Sequence, residues 1–373
     1  MTKKIAYLGP PGTFCEMAVQ KYFNQGAARN LVSYPSIPAV FAAVCSGEVD
    51  LGVVPIENSY EGTVTQTLDL LAYEYDLTIF GEIILPVQQN LLALKGVAVA
   101  EVAAILSHPQ ALAQCRKYLE EFLLAAKLVE VSSTAEAARR VADSGKPWAA
   151  IGPSGAAQAY GLEILTPNIN DHPNNETRFL LLSKEESSCS EDCKTSLLIN
   201  VLNKPGALLQ ALKEFSLRGI NLTKLESRPA KTRIGEYLFF IDLDGHFQEP
   251  KIADALTEIN KFAQPIKVLG SYPAASGITG RKSIFNPNLD YLRQEVDIID
   301  EQIIELLGRR TRLVERIGDF KANAQVVHDP NREQWILEKL SHLAVEKGFS
   351  PQVTVEIYQI LFQHFVNLQK VKK

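Results

Sequence analysis

Leu289-Asp-Tyr-Leu-Arg-Gln-Glu-Val-Asp-Ile-Ile-Asp-Glu-Gln-Ile-Ile-Glu-Leu-Leu-Gly-Arg-Arg310 opens a stretch that reaches Asp329 without a proline. Its apolar residues step by three and four: Leu289, Leu292, Val296, Ile299, Ile303, Leu306, then Leu313, Ile317 and Phe320. This is a heptad seam on one helix of more than 30 residues, too long to stand alone in a globular domain. The seam skips one position, which Arg310 occupies. A guanidinium in an apolar seam is expensive unless it meets an anion. It is either paired to a carboxylate or part of an anion site inside a helical bundle. Lys321 follows 11 residues on, about 20° round the helix and ~16 Å along it, so both could clasp one small dianion. Arg293 lies roughly 25 Å from Arg310 on a straight helix and ~100° round. It can join such a site only across a subunit boundary. Two more helical stretches follow Pro330 and Pro351. The spacing predicts an all-α unit that needs partner helices from another chain.

Upstream the pattern changes. Two polar, turn-rich stretches read as linkers, Ser183-Lys-Glu-Glu-Ser-Ser-Cys-Ser-Glu-Asp192 and the run from Pro273 to Asn288. They divide the chain into 1–183, 194–272 and 285–373. The middle segment reads strand, helix, strand, strand, helix, strand, the ferredoxin-like order: Ser196–Leu202, Ala207–Arg218, Leu222–Ser227, Glu236–Leu243, Lys251–Phe262 and Pro265–Leu269. The first segment alternates short apolar runs with helical patterns. Strands are expected at Ile5–Leu8, Leu51–Val54, Leu85–Leu92, Ala103–Leu106, Leu128–Val131 and Ala149–Ile151. Helices are expected at Ile37–Ser46, Thr63–Ala72, Pro109–Phe122 and Ser133–Ser144. This alternation predicts parallel sheets in an α/β architecture, with ligands at the strand ends. Polar clusters fall there: Gly9-Pro-Pro-Gly12-Thr13, Pro55-Ile-Glu57-Asn58-Ser59 and Ser107-His108-Pro109-Gln110. Polar residues at such positions also serve as helix caps.

The 373 residues suit two or three domains, and 46% hydrophobic with 22% charged residues is an ordinary globular balance. A net charge of -5 is too balanced for a nucleic-acid field or a polybasic membrane patch. No apolar run reaches the ~18 residues of a spanning helix, and the start has no signal-peptide core. Five cysteines, Cys15, Cys45, Cys115, Cys189 and Cys193, are too few and too scattered for a disulfide framework. The six histidines form no close pair. The expectation is a cytoplasmic protein with reduced thiols and no metal.

The run Leu292-Arg293-x2-Val296-Asp297-x2-Asp300, with Leu306-Leu307-x-Arg309-Arg310, Ile317-Gly318-x2-Lys321, Asp329-Pro-x-Arg332-Glu333 and Gln369, resembles the all-helical class of chorismate mutase. That resemblance implies an interlocked homodimer whose sites are built from both chains. It implies that Arg310 and the partner's Arg293 bind the two carboxylates of chorismate, and that Lys321 and Gln369 donate to its ether oxygen. Glu333 would accept from the ring hydroxyl, with Asp329 and Arg332 in support. The implied reaction is a Claisen rearrangement to prephenate, driven by holding the compact conformer and stabilising charge on the ether oxygen. Phe365 departs from the small polar residue of relatives.

Gly9-Pro-Pro-Gly12-Thr13-Phe14, Val54-Pro55-Ile56-Glu57-Asn58-Ser59, Ser107-His108-Pro109-Gln110-x3-Gln114-Cys115 and Asn175-Glu-Thr177-Arg178-Phe179 together resemble prephenate dehydratase. The implied fold is two α/β lobes with a cleft, like a solute-binding protein of the type II periplasmic class. The implied reaction removes the C4 hydroxyl and CO2 from prephenate and yields phenylpyruvate. Thr177 would be the essential hydroxyl, with Arg178 and Phe179 shaping the site and Asn58, Ser107 and Gln114 binding substrate. Gln89 stands where relatives carry His. The middle segment is similar to the regulatory ACT domain. That implies phenylalanine feedback through Asn203, Gly206-Ala207-Leu208 and Glu226-Ser227-Arg228-Pro229, between paired domains. No cofactor is implied. The alternatives left open are a small-acid or phenylalanine sensor and a one-activity dehydratase whose helical part only clamps a dimer.

Overall fold

The computed structural model describes residues 3–23, 30–189, 192–231, 233, 236–263, 266–275, 289–321 and 330–371. The chain divides into two compact units, Met1–Gly280 and Arg281–Lys373. Asp329 and most of the stretch from Pro273 to Asn288 lie outside the described residues, as do the side chains of Lys321 and Gln369.

The first lobe of the larger unit begins β1 (Lys4–Leu8), α1 (Phe14–Tyr22), β2 (Asn30–Tyr34), α2 (Ile37–Ser46) and β3 (Leu51–Asn58). It continues through β4 (Gly62–Thr63), α3 (Thr65–Asp69) with a π turn over Leu70–Glu74, and β5 (Thr78–Pro86). Sequence places the helix starts: Thr13 and Ser36 sit in extended backbone and accept from Glu16 N and Ala39 N. The chain then crosses to a second lobe. It holds β6 (Asn90–Ala93), β7 (Ala104–Ser107), α4 (Pro109–Gln114), α5 (Arg116–Phe122), β8 (Lys127–Glu130), α6 (Thr134–Ser144), β9 (Trp148–Gly152), α7 (Ser154–Tyr160) and β10 (Glu163–Thr166). It returns with β11 (Glu176–Ser183), which inserts into the first sheet.

The sheets run β2-β1-β3-β11-β5, with β4 on β3, and β10-β6-β9-β7-β8. The expectation of parallel sheets is corrected: both are mixed. β1 pairs parallel with β2 and β3, and β7 with β8 and β9, but β11 lies antiparallel between β3 and β5. Strand and helix boundaries also differ in three places. β3 runs through Pro55 to Asn58 rather than stopping at Val54, because the register shift opposite Pro55, between Arg178 and Phe179, accommodates a residue with no N–H. The expected strand over Leu85–Leu92 is two strands broken at Val87–Gln89, the crossing point between lobes. The expected helix over Pro109–Phe122 breaks at Cys115, whose N–H bonds back to Leu112 O, and Asp171 accepts from Lys117 N to cap the second half.

The ACT-like segment folds as β12 (Cys193–Asn200), α8 (Ala207–Ser216), β13 (Leu222–Pro229), β14 (Tyr237–Asp244), α9 (Pro250–Asn260) and β15 (Lys267–Pro273). Its antiparallel sheet, β13-β14-β12-β15, buries Leu197, Ile199, Ile241 and Leu243 under the two helices. The opposite face is not solvated. Leu198, Phe240, Leu269 and Tyr272 enter one core with Val40, Phe41, Leu180 and Leu182 of the first lobe. At the entry to this sheet Cys189 and Cys193 form a disulfide with Cα atoms 5.9 Å apart, which corrects the expectation of five reduced thiols. Cys15 and Cys115 are free and buried, and burial pushes both thiols up to about 12.

The smaller unit is α10 (Leu289–Lys321), α11 (Pro330–Glu346) and α12 (Pro351–Val371). Its core is thin. Among its described residues only Ala344, Thr354 and Phe365 are buried, whereas seam residues Val296, Ile299, Ile303, Leu306, Leu313 and Ile317 remain 47–63% exposed. Among all described residues no helix is long and apolar enough to cross a membrane.

Candidate active sites

Between the lobes lies an open recess of about 210 Å3, lined by Tyr60 and Glu61 of the first lobe, Ala113 and Gln114 of the second, and Asn170, Asp171, His172 and Asn175 of the returning segment. The break at Cys115 ends α4 at Gln114, which faces the recess. Gln89 at the lobe crossing donates to Gln114 Oε1 at 3.3 Å, and its own Oε1 is buried with no partner among the described residues.

Beside the recess Asn58 is a hub. Its Oδ1 accepts from Tyr60 N and Glu61 N at 3.0 and 3.1 Å. Backbone N–H groups only donate, which fixes the amide orientation. Nδ2 therefore faces Asn175 Oδ1 at 2.8 Å and Thr177 Oγ1 at 2.9 Å. The Thr177 hydroxyl accepts from Asn58 and keeps its proton for another acceptor. Asn175 also accepts from Ser59 Oγ at 3.3 Å. Tyr60 stacks on His172 at 4.8 Å between ring centroids.

Other expected residues are placed differently. Ser107 is fully buried and donates to Ile151 O at 2.7 Å, so in this structure it ties β7 to β9 rather than facing the recess. Phe179 is buried in the core beneath α1 with Ile5, Val19 and Val53. Arg178 points to the reverse side of β11. Its Nε lies 2.6 Å from Glu82 Oε2 and its Nη1 2.5 Å from Asp242 Oδ2. Its Nη2 donates to Tyr272 Oη at 3.0 Å. Lys194 completes the cluster at 2.8 Å from Glu82. Two cations and two anions balance, as burial demands. Burial pushes the Glu82 carboxyl up, but Arg178 and Lys194 outweigh it and hold it below its ordinary value. Burial likewise opposes the Arg178 charge, and Asp242, Tyr272 and Glu82 outweigh it and raise the guanidinium's pKa well above its ordinary value. Gly12 and Thr13 act at the α1 entry: Thr13 Oγ1 donates to Leu8 O, and Glu16 accepts from Gly12 N. Sequence reasoning missed Tyr60, His172 and Asn175 as recess residues, although Asn175 lies inside a quoted motif, Tyr60 follows one and His172 stands three residues before one.

In the regulatory sheet Gly206 takes φ +82 at the start of α8, a conformation open to glycine. Alternation along β13 turns Lys224, Glu226 and Arg228 toward the first lobe and leaves Ser227 outward. Glu226 accepts from Thr63 at 3.1 Å, and Arg228 lies 3.6 Å from Asp69. Asn203, Ala207, Leu208 and Pro229 fall at the turn before α8, in its first residues and at the end of β13.

In the helical unit Arg310 is half-buried, its guanidinium 4.6 Å from the ring of Phe365, 5.4 Å from Tyr358 and 5.7 Å from Phe362, all on α12. Its Nη1 is buried with no hydrogen-bond partner among the described residues. Burial pulls its pKa below the ordinary value. Phe365 is one wall of that aromatic cage. Arg293 is exposed on α10, and Arg332, next to Glu333 at the start of α11, lies over Trp335 at 4.2 Å.

Comparisons with known proteins agree with this layout. The prephenate dehydratase family model matches residues 5–187, the ACT domain model residues 195–260, and the chorismate mutase type II model residues 292–370. A bifunctional chorismate mutase/prephenate dehydratase of Pseudomonas aeruginosa is 44% identical over 276 residues, 73% of this chain and 73% of that protein. The chain belongs to the prephenate dehydratase family. A prephenate dehydratase of Lactococcus lactis is 42% identical over 73% of this chain and 98% of that protein. A solved prephenate dehydratase from Arthrobacter aurescens in complex with L-Phe matches with a TM-score of 0.69 and 33% identity, over 80% of this chain and 99% of its own. The family's dehydratase and ACT modules are followed here by a chorismate mutase module, so the chain carries the domains of both activities in the order dehydratase, ACT, mutase.

Proposed function

We propose that residues 285–373 convert chorismate to prephenate, that 1–183 convert prephenate to phenylpyruvate, and that 194–272 bind L-phenylalanine as feedback inhibitor. The observation that carries the dehydratase reading is the Asn58–Thr177 hydrogen bond beside the recess, which orients the threonine hydroxyl and leaves its proton available. A threonine is too weak an acid to ionise near neutral pH. Its role is to donate a hydrogen bond to the departing C4 hydroxyl while CO2 leaves and the ring becomes aromatic. Gln114, held by Gln89, and Asn175 supply amide donors for the two carboxylates.

In the mutase the Arg310 guanidinium, whose Nη1 has no hydrogen-bond partner among the described residues, is the anchor for one carboxylate of chorismate, with Lys321 and Gln369 donating to the ether oxygen. Arg293 serves the partner's site, and Asp329, Arg332 and Glu333 support the ring hydroxyl contact. The exposed α10 seam supports a homodimer or higher homo-oligomer, because a half-exposed heptad face wants a second helix. The L-Phe complex of the Arthrobacter aurescens relative supports the inhibitor. The ligand contacts fall to Asn203, Gly206, Ala207, Leu208, Ser227 and Pro229, with Glu226 and Arg228 shared with the first lobe. The enzyme works in the cytoplasm.

The test supplies purified chain with chorismate and no other enzyme. Phenylpyruvate is the expected product. Accumulated prephenate would remove the dehydratase from the reading, and untouched chorismate would remove the mutase.

A further inference from the structure

In the β3–β11 pair Asn58 stands opposite Thr177, and Glu57 opposite Arg178. Adjacent strand residues face opposite sides of a sheet. The Asn58–Thr177 hydrogen bond therefore has, directly behind it, a second pair of side chains facing the regulatory sheet.

Both members of that rear pair are held from the regulatory side. Arg178 is bound by Asp242 of β14 and Tyr272 of β15. Ser196 of β12 bonds the same two residues, touching Asp242 and lying 2.6 Å from Tyr272 Oη. Glu57 Oε1 lies 3.1 Å from Lys224 Nζ of β13. The same ammonium donates to Thr63 at 3.2 Å, on the short strand that closes the turn after Asn58. Lys224, Lys194, Asp242 and Tyr272 are all at least nine-tenths buried at the side chain or residue level, so water competes little for these contacts. Arg178 reaches its partners by a planar fork, which fixes direction as well as charge. None of these regulatory-sheet side chains lines the recess.

We propose that Glu57 and Arg178 are positioning residues, through which Lys224, Asp242 and Tyr272 of the regulatory sheet set the spacing of Asn58 and Thr177. The proposal rests on the dehydratase reading above. It makes the site-shaping role that its motif implied specific: Arg178 acts through Thr177 and touches no substrate. A displacement of about 1 Å at a reacting group is enough to lower turnover a hundredfold, and a strand-to-strand shift of that size needs only a change in how the rear pair is gripped.

The experiment uses the full-length chain with Tyr272→Phe, Asp242→Asn and Lys224→Met, each outside the recess. Prephenate kcat and KM are measured, with chorismate turnover of the same sample as a count of total chain and its melting curve as the check that the larger unit is folded. The expected result is a fall in kcat of about ten- to a hundredfold with KM within about twofold and mutase turnover unchanged. Arg178→Lys, which keeps the charge, should retain more kcat than Arg178→Gln. Wild-type kcat in all three variants overturns the proposal, as does a loss confined to KM, which would mark Arg178 as a substrate ligand. Tyr272→Phe removes one oxygen and keeps the ring's volume, so it decides the matter even if a charge variant fails to fold. A wild-type chain inert toward prephenate would instead sink the dehydratase reading, and the proposal with it.

Discussion

Thr177 and Arg178 are consecutive, yet one meets Asn58 beside the recess and the other meets Glu82 and Asp242 inside the protein. Their substitutions should therefore fail in different ways. Thr177→Val keeps the side chain's shape and loses the donor, and should lower prephenate turnover by at least about a hundredfold. Thr177→Ser should stay within about tenfold, and single-turnover assays would compare the two. Glu82 makes a separate prediction. Its folded pKa lies below the unfolded value of about 4.3. Its contribution to stability is thus complete above that pH and is lost as pH falls through the folded value. Melting temperature should drop steeply in acid for the parent chain. Glu82→Gln should melt lower at pH 7, by the about 3–5 kcal/mol of a broken buried pair, and should show a shallower acid slope. Of these residues, Asn58 and Thr177 could be picked from the sequence because polar side chains recur at strand ends. The turning of Arg178 away from the recess could not, because it depends on where Asp242 and Tyr272 arrive.

Helix starts were readable from local chemistry. Ser36 and Ser133 cap α2 and α6 within one residue of the expected starts, since a cap needs only its own first turn. The βαββαβ order of the regulatory segment followed from period alone. Strand ends in the first lobe did not. Pro55 reads as a stop, yet β3 continues past it, with a bulge against β11 and pairing to β4 at Glu57 and Asn58. The position of β11 between β3 and β5 is a non-local pairing, and no local pattern encodes its direction. Packing between β15 and β5 offers a test of how closely the regulatory sheet seats. Gly270 has φ +148, and a Cβ there would collide with the Ile79 carbonyl oxygen. Gly270→Ala should destabilise the chain by about 1–3 kcal/mol, read as a lower urea midpoint. Prephenate turnover should fall more than chorismate turnover.

Across the chain, the largest unmet demand is the α10 seam. Apolar residues at heptad spacing were visible in the sequence, and the structure leaves them half-exposed. A second copy is the simplest cover, and Ile303 lies mid-seam. Ile303→Glu should weaken self-association in sedimentation and cut chorismate turnover sharply while prephenate turnover persists. Equal turnover of chorismate at dilutions that separate the subunits would refute a shared site.

Periodicity, caps and breakers were enough to yield three segments, their classes and the residues most apt for chemistry, because these signals act over a few neighbouring residues. They could not reveal that the regulatory sheet shares a core with the first lobe, that both α/β sheets are mixed, or that Cys189 and Cys193 join. Nor could they separate Thr177 from Arg178 in role. Each of those outcomes depends on contacts between residues tens to more than a hundred positions apart or on how a turn closes, and such contacts are selected by burial and charge balance in the folded chain.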